Sequence, residues 1–183
     1  MKFRIDHRFD GCTLDRFVAT YFSEDFNNAV AKVTGLRTRS LVEQTILPDG
    51  RRERRVRMHP QVTLPSAIKK WASEDQIHYD EVSTYDPARQ EVRFRIDSKA
   101  NDRVRFEGVI RFQADGSGVR RLIESEVDIK APFGVGTLIE KFIEVEVQKG
   151  YAKVQPFLQQ YLNTHPNGPP DSSSSTPSTP EKT

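Results

Sequence analysis

The chain of 183 residues is long enough for one domain with a substantial core, and its 28 basic against 26 acidic residues leave a formal net charge of +2. That balance gives no overall electrostatic footprint for DNA or RNA, and a single cysteine, Cys12, excludes an intramolecular disulfide and a cysteine-based zinc site. The stretch MKFRIDHRFDG has no apolar signal region and no run approaches the ~18 apolar residues of a membrane span, so the expectation is a soluble, cytoplasmic protein.

Lys2–Phe9 alternates Phe3, Ile5, His7 and Phe9 with Arg4, Asp6 and Arg8, the period of a half-buried strand. Thr13 is placed to cap the next run, with Asp15 in its first turn. That run, LDRFVATYFSEDFNNAVAKV, reads as two short helices broken near Ser23–Asp25 and ended by Gly35. Arg37–Leu47 and Arg52–His59 follow as strands joined by the turn Pro48–Asp49–Gly50. After an insert, QVTLPSAIKKWAS, come four more strands: Gln76–Tyr85, Glu91–Asp97, Arg103–Ala114 and Val119–Lys130. Turn-forming residues at 86–89, 99–102 and 115–118 separate them, and such short links imply an antiparallel meander. Gly136–Leu162 spaces Ile139, Phe142, Ile143, Val147, Gly150, Tyr151, Val154, Leu158 and Tyr161 as one long amphipathic helix, in which Pro156 should make a kink or a fresh turn. From Asn163 the chain is rich in Pro and Ser and almost free of apolar residues, which divides it into a domain, 1–162, and a disordered tail, 163–183.

One residue breaks the alternation. In RVRFEGVIRF, Gly108 falls on the apolar side between Phe106 and Ile110. Pairing strands through their turns puts Gly108 opposite Ser125, Ile110 opposite Ile123, Phe106 opposite Val127 and Val104 opposite Ile129. The earlier turns put Phe94 opposite Phe106, Ile96 opposite Val104, Tyr79 opposite Ile96 and Ser83 opposite Val92. On the other face this register matches Asp97 with Arg103, Arg93 with Glu107 and Asp80 with Arg95, so the many arginines read as a solvated sheet face. An inner row of Ser83, Val92, Gly108 and Ser125 then leaves room between sheet and helix. A pocket, a filling side chain such as Phe142, or a strand bulge each accounts for it.

The order strand, two short helices, six-strand meander and long C-terminal helix resembles the START-related lipid-transfer and polyketide-cyclase superfamily over residues 2–162. Two stretches strengthen the likeness: FDGCTLDRFVATYFSEDF and APFGVGTLIEKFIEVEVQKGYAKVQPFL. More narrowly, the chain resembles an uncharacterised bacterial branch of it. The resemblance implies an α+β helix-grip fold: a curved seven-stranded antiparallel sheet wrapped around the C-terminal helix, with a deep apolar cavity between them. Fold alone does not imply function, and no short catalytic motif is present.

The inward polar positions are Glu81, Ser83, Ser125, His7 and, towards the sheet edge, Arg121. The expected ligand-binding set is Glu81, Ser83, Val92, Phe94, Phe106, Gly108, Ile110, Ile123, Ser125, Val127, Ile139 and Phe142. Gly108 and Ser125 would give room, and Glu81 and Ser83 would orient a polar end. An inward carboxylate has a raised pKa, so Glu81, helped by His7, is also the weak candidate for acid–base catalysis. His59, His78 and His165 show no metal spacing, and neither a metal nor a cofactor is expected. Trp71, beside Lys69 and Lys70, could make transient membrane-surface contact or plug the core. Three functions stay open: a carrier of a hydrophobic small molecule, lipid or polyketide-like; a cyclase or hydratase; and an interaction module with a filled core. Nothing in the sequence sets the oligomeric state.

Overall fold

The computed structural model describes residues 1–69, 77–98, 104–130 and 135–168. Alternation gives the first strand, β1 (Lys2–Asp10). Thr13 then caps α1 (Leu14–Phe22) by accepting from the Arg16 amide. Ser23 makes the break: its extended backbone ends α1, and its hydroxyl accepts from the Phe26 amide to start α2 (Glu24–Thr34). Gly35 stops α2 in the left-handed region, φ 75°, and its N–H donates to the carbonyls of Ala31 and Lys32.

The meander comprises β2 (Leu36–Ile46), β3 (Arg52–Pro60), β4 (Tyr79–Asp86), β5 (Glu91–Ser98), β6 (Val104–Asp115) and β7 (Gly118–Ile129), with the single-turn helix α3 (Ser66–Lys69) after β3. Together with β1 they form a seven-stranded antiparallel sheet in the order β1-β7-β6-β5-β4-β3-β2. The long helix α4 (Val135–Thr164) runs unbroken through Pro156 and ends two residues past the expected boundary at 162. Lys70, Trp71 and residues 169–183 of the tail lie outside the described residues.

The β6–β7 register is the expected one, from Val104↔Ile129 through Gly108↔Ser125 to Ala114↔Val119. The two preceding hairpins are each displaced by two residues. Phe94 faces Gly108 and Ile96 faces Phe106, while Ser83 faces Phe94 and Tyr79 faces Ser98. For β4–β5 the cause is the loop, which takes residues 87–90 and ends on Gln90 at φ 52°. No glycine marks that left-handed position. The Gln90 side chain holds it instead, donating to the Pro87 carbonyl and accepting from the Tyr85 hydroxyl at 2.8 Å. A slip of two preserves parity, so every side chain keeps its face and only its neighbours change. On the outer face Arg95 meets Glu107, Arg93 meets Val109, and Asp80 is paired by Arg57 at 2.8 Å and Arg55 at 3.4 Å rather than by Arg95. Arg103 lies outside the described residues.

The inner face has two halves. At one end Phe9, Tyr85, Ile110, Phe112, Val119 and Ile123 pack against Phe17 of α1 and Leu158 and Leu162 of α4 in a dry cluster. Towards the other end α4 stands off the sheet.

Candidate functional site: a cavity between sheet and helix

The space under the N-terminal half of α4 is a cavity of about 870 Å³, within the usual size range of small-molecule sites. The sheet contributes Val56, Met58, Tyr79, Glu81, Ile96 and Phe106, α2 contributes Phe26 and Val30, and α4 contributes Phe142, Val147, Gly150 and Tyr151. Of the residues expected at the site, Glu81, Ser83, Val92, Phe94, Phe106 and Phe142 line it. Ile110 and Ile123 belong to the dry cluster instead. Val127 is fully buried, and neither it nor Gly108, Ser125 or Ile139 lines the cavity.

Gly108 does not provide room. A Cβ on it would stand 2.6 Å from the Glu124 carbonyl oxygen, 2.7 Å from Ser125 Oγ and 2.8 Å from Phe94 Cζ. The two-residue slip explains this, because it brings the Phe94 ring rather than Val92 over the glycine. The row is therefore filled by a sheet side chain and not by Phe142. Space lies instead beside a different glycine. Gly150, inside α4, lines the cavity, and a Cβ there would meet nothing within 4 Å among the described residues.

The polar wall falls into two groups. In the first, Glu24 at the start of α2 accepts from Arg39 at 2.7 Å and from Arg54, whose side chains are 7% and 5% exposed. Glu81 lies near this group, and burial raises its pKa while Arg54 and Arg39 oppose the shift. Its remaining accessible surface faces the cavity. Sequence reasoning missed Arg39 and Arg54, having treated strand arginines as solvated. The signal was present: alternation through RERRVRMHP puts Arg54 on the face of Val56 and Met58.

The second group centres on Arg121, which is 2% exposed and lies on β7, next to the edge strand as expected, between His7 of β1 and Phe112 of β6. Its Nη2 donates to His7 Nδ1 at 2.8 Å, and its guanidinium sits 5.2 Å from the Phe9 ring and 5.6 Å from the Tyr151 ring. Burial, with Arg121 beside it, pushes the His7 pKa down to about 4, so the ring is a neutral acceptor at pH 7. Burial raises the Tyr151 phenol to about 12 and lowers Arg121 from its ordinary value. Among the described residues, Arg121 Nε is buried without a hydrogen-bond partner. Among the described residues no group of three His, Cys, Asp or Glu side chains could hold a metal ion, and no helix is long and apolar enough to cross a membrane.

The combination of antiparallel sheet, paired short helices and a long helix over a cavity has counterparts. The family model described as "Protein of unknown function (DUF2505)" matches residues 4–162. The chain belongs to this family. No curated protein matches it. Among solved structures, this DUF2505 chain is similar to TTHA0849 from Thermus thermophilus (13% identity, TM-score 0.61, covering 90% of this chain and 98% of that one). It is also similar to the Zhui aromatase/cyclase from Streptomyces sp. R1128 (13% identity, TM-score 0.60, 92% and 100% covered). A third match is Ara h 8.0201 (12% identity, TM-score 0.51, 87% and 98% covered). At these identities the likeness is one of fold, and the DUF2505 chain shares the helix-grip fold of these structures.

Proposed function

We propose that this protein binds and carries a hydrophobic small molecule, lipid or polyketide-like, in the cavity between sheet and α4. The observation that carries the reading is the cavity itself, about 870 Å³ with a largely apolar wall. A void of that size is not a packing remnant, since residual cavity costs roughly 24 cal/mol per Å³. Burial of an apolar ligand returns about 25 cal/mol per Å². Helix-grip relatives include a protein whose name says aromatase/cyclase, which suits the same kind of ligand. Native mass spectrometry of protein purified from its own host, with organic extraction, tests this. The expected result is a stoichiometric apolar compound. Empty protein that also fails to bind the neutral dye N-phenyl-1-naphthylamine would overturn it.

One observation favours a second reading, a cyclase or hydratase. Glu81 stands on the cavity wall with its pKa raised by burial, the direction in which a carboxyl group becomes a better base and holds a proton to give. On that reading Glu81→Gln abolishes turnover while dye binding persists. On the carrier reading no turnover depends on it.

A further inference from the structure

Two arginines are buried within the described residues, Arg54 and Arg121. Arg54 has its carboxylate, Glu24. Among the described residues Arg121 has none: its polar contact is the neutral His7, its other neighbours are the rings of Phe9 and Tyr151, and its Nε is unpartnered. A buried guanidinium without an anion is costly, and a fold that needed only bulk there would do better with an apolar residue. Arg121 nevertheless reaches the cavity wall, as does Tyr151.

We propose that Arg121 is the head-group site of the cavity and that the ligand is an amphipathic carboxylic acid, its carboxylate on Arg121 and its apolar body under the N-terminal half of α4. This rests on the cavity being a ligand site. The charges of the wall select a monoanion. Among the described residues, Arg39, Arg54 and Arg121 of the wall stand against Glu81 and Glu146 of the wall and Glu24 behind it; Glu146 is paired with Lys149 at 2.9 Å, so one positive charge is left uncompensated even with Glu81 ionised. A carboxylate cancels it, whereas a phosphate dianion would leave an unpaired negative charge in the same low-dielectric space. The guanidinium fork suits a planar carboxylate, and Nε–H is a buried donor without a partner among the described residues. Arg121 also adjoins the dry cluster through Phe9 and Phe112, so the head group enters first and the apolar end trails towards Phe106 and Phe142.

The test uses the full chain, stripped of lipid and loaded with N-phenyl-1-naphthylamine, with dodecanoate, dodecanol and dodecyl phosphate as competitors at pH 7.5. Dodecanoate should displace the dye at least about tenfold more tightly than dodecanol, the scale of a charge-assisted hydrogen-bonded pair. Arg121→Met should erase that preference and keep the dye, and Arg121→Lys, which keeps charge but loses the fork, should retain only part of it. Equal displacement by acid and alcohol in the wild type would overturn the head-group assignment, and this comparison decides even where a variant does not fold. Tighter binding of dodecyl phosphate than of dodecanoate would overturn the monoanion. Failure of the dye itself to bind would overturn the cavity reading and the head group with it, so the two failures are distinct.

Discussion

Two glycines on elements that enclose the same space should respond to a methyl group in opposite directions. At Gly150 the added Cβ meets nothing within 4 Å among the described residues, and the residue lies inside a helix, where alanine is favoured by roughly 0.8–1 kcal/mol. Gly150→Ala should therefore stabilise the protein by about 1 kcal/mol, or ~2–4 °C in Tm at this chain length. Gly150→Leu should add part of the ~1.5–3 kcal/mol of a buried leucine while weakening dye binding, because it occupies cavity volume. At Gly108 the same methyl group stands 2.6 Å from the Glu124 carbonyl oxygen, which is backbone and does not swing aside. Gly108→Ala should cost about 1–3 kcal/mol and lower Tm by ~2–10 °C. Thermal unfolding by circular dichroism and dye titration of all three variants measure this. A Gly150→Ala variant less stable than wild type would show that space to be filled, and a Gly108→Ala variant of unchanged Tm would refute the close packing under Phe94.

Three other perturbations have definite signs. Glu81 has a folded pKa above its ordinary 4.5, so between those values the folded chain holds a proton the unfolded one lacks, and stability falls as pH rises through that window. Glu81→Gln should remove that decline, so its Tm advantage over wild type should be larger at pH 7.5 than at pH 4.5; an advantage that shrinks with rising pH would contradict the assignment. His7 titrates near 4 when folded against 6.5 unfolded, so stability falls as pH drops from 6.5 towards 4. His7→Asn, which still accepts from Arg121 but cannot titrate, should show a shallower Tm decline over that range. Glu24→Gln removes the carboxylate between Arg39 and Arg54; because the Glu24 side chain is 31% exposed, the expected loss is about 1–3 kcal/mol by urea unfolding, and no loss would mean the arginines are solvated.

Element types were legible because local chemistry fixes them. Ser23 and Gly35 mark helix ends by capping, and alternation marks strands whatever they pair with. The β6–β7 register was legible too, since pairing Ala114 with Val119 sets every residue along the hairpin. The β4–β5 register was not, because Gln90 takes a left-handed conformation through its side chain, without a glycine to announce it. The β5–β6 hairpin is displaced by two residues as well, and it is this slip that moved Phe94 onto Gly108. The faces survived, so Glu81, Ser83 and Phe94 were placed correctly on the inner side, and they line the cavity. What alternation does not convey is partnership. Arg121 reads as an inward residue from sequence, but its lack of a carboxylate emerges only once β1, β6 and α4 surround it.

The strands lie in chain order except β1, which pairs with β7 instead of its sequence neighbour β2. Asp10 faces Gly118 and Lys2 faces Glu126, so this contact closes a loop of roughly a hundred residues, about 3 kcal/mol harder to close than a hairpin turn of four. We therefore expect β1 to join after the meander has zipped, with a φ-value near zero for Ile5→Val. His7 arrives with β1 and Tyr151 with α4, at opposite ends of the domain. The nest around Arg121 thus waits for both ends of the domain, and a ribosome-bound chain lacking α4 has the cavity open along one whole side.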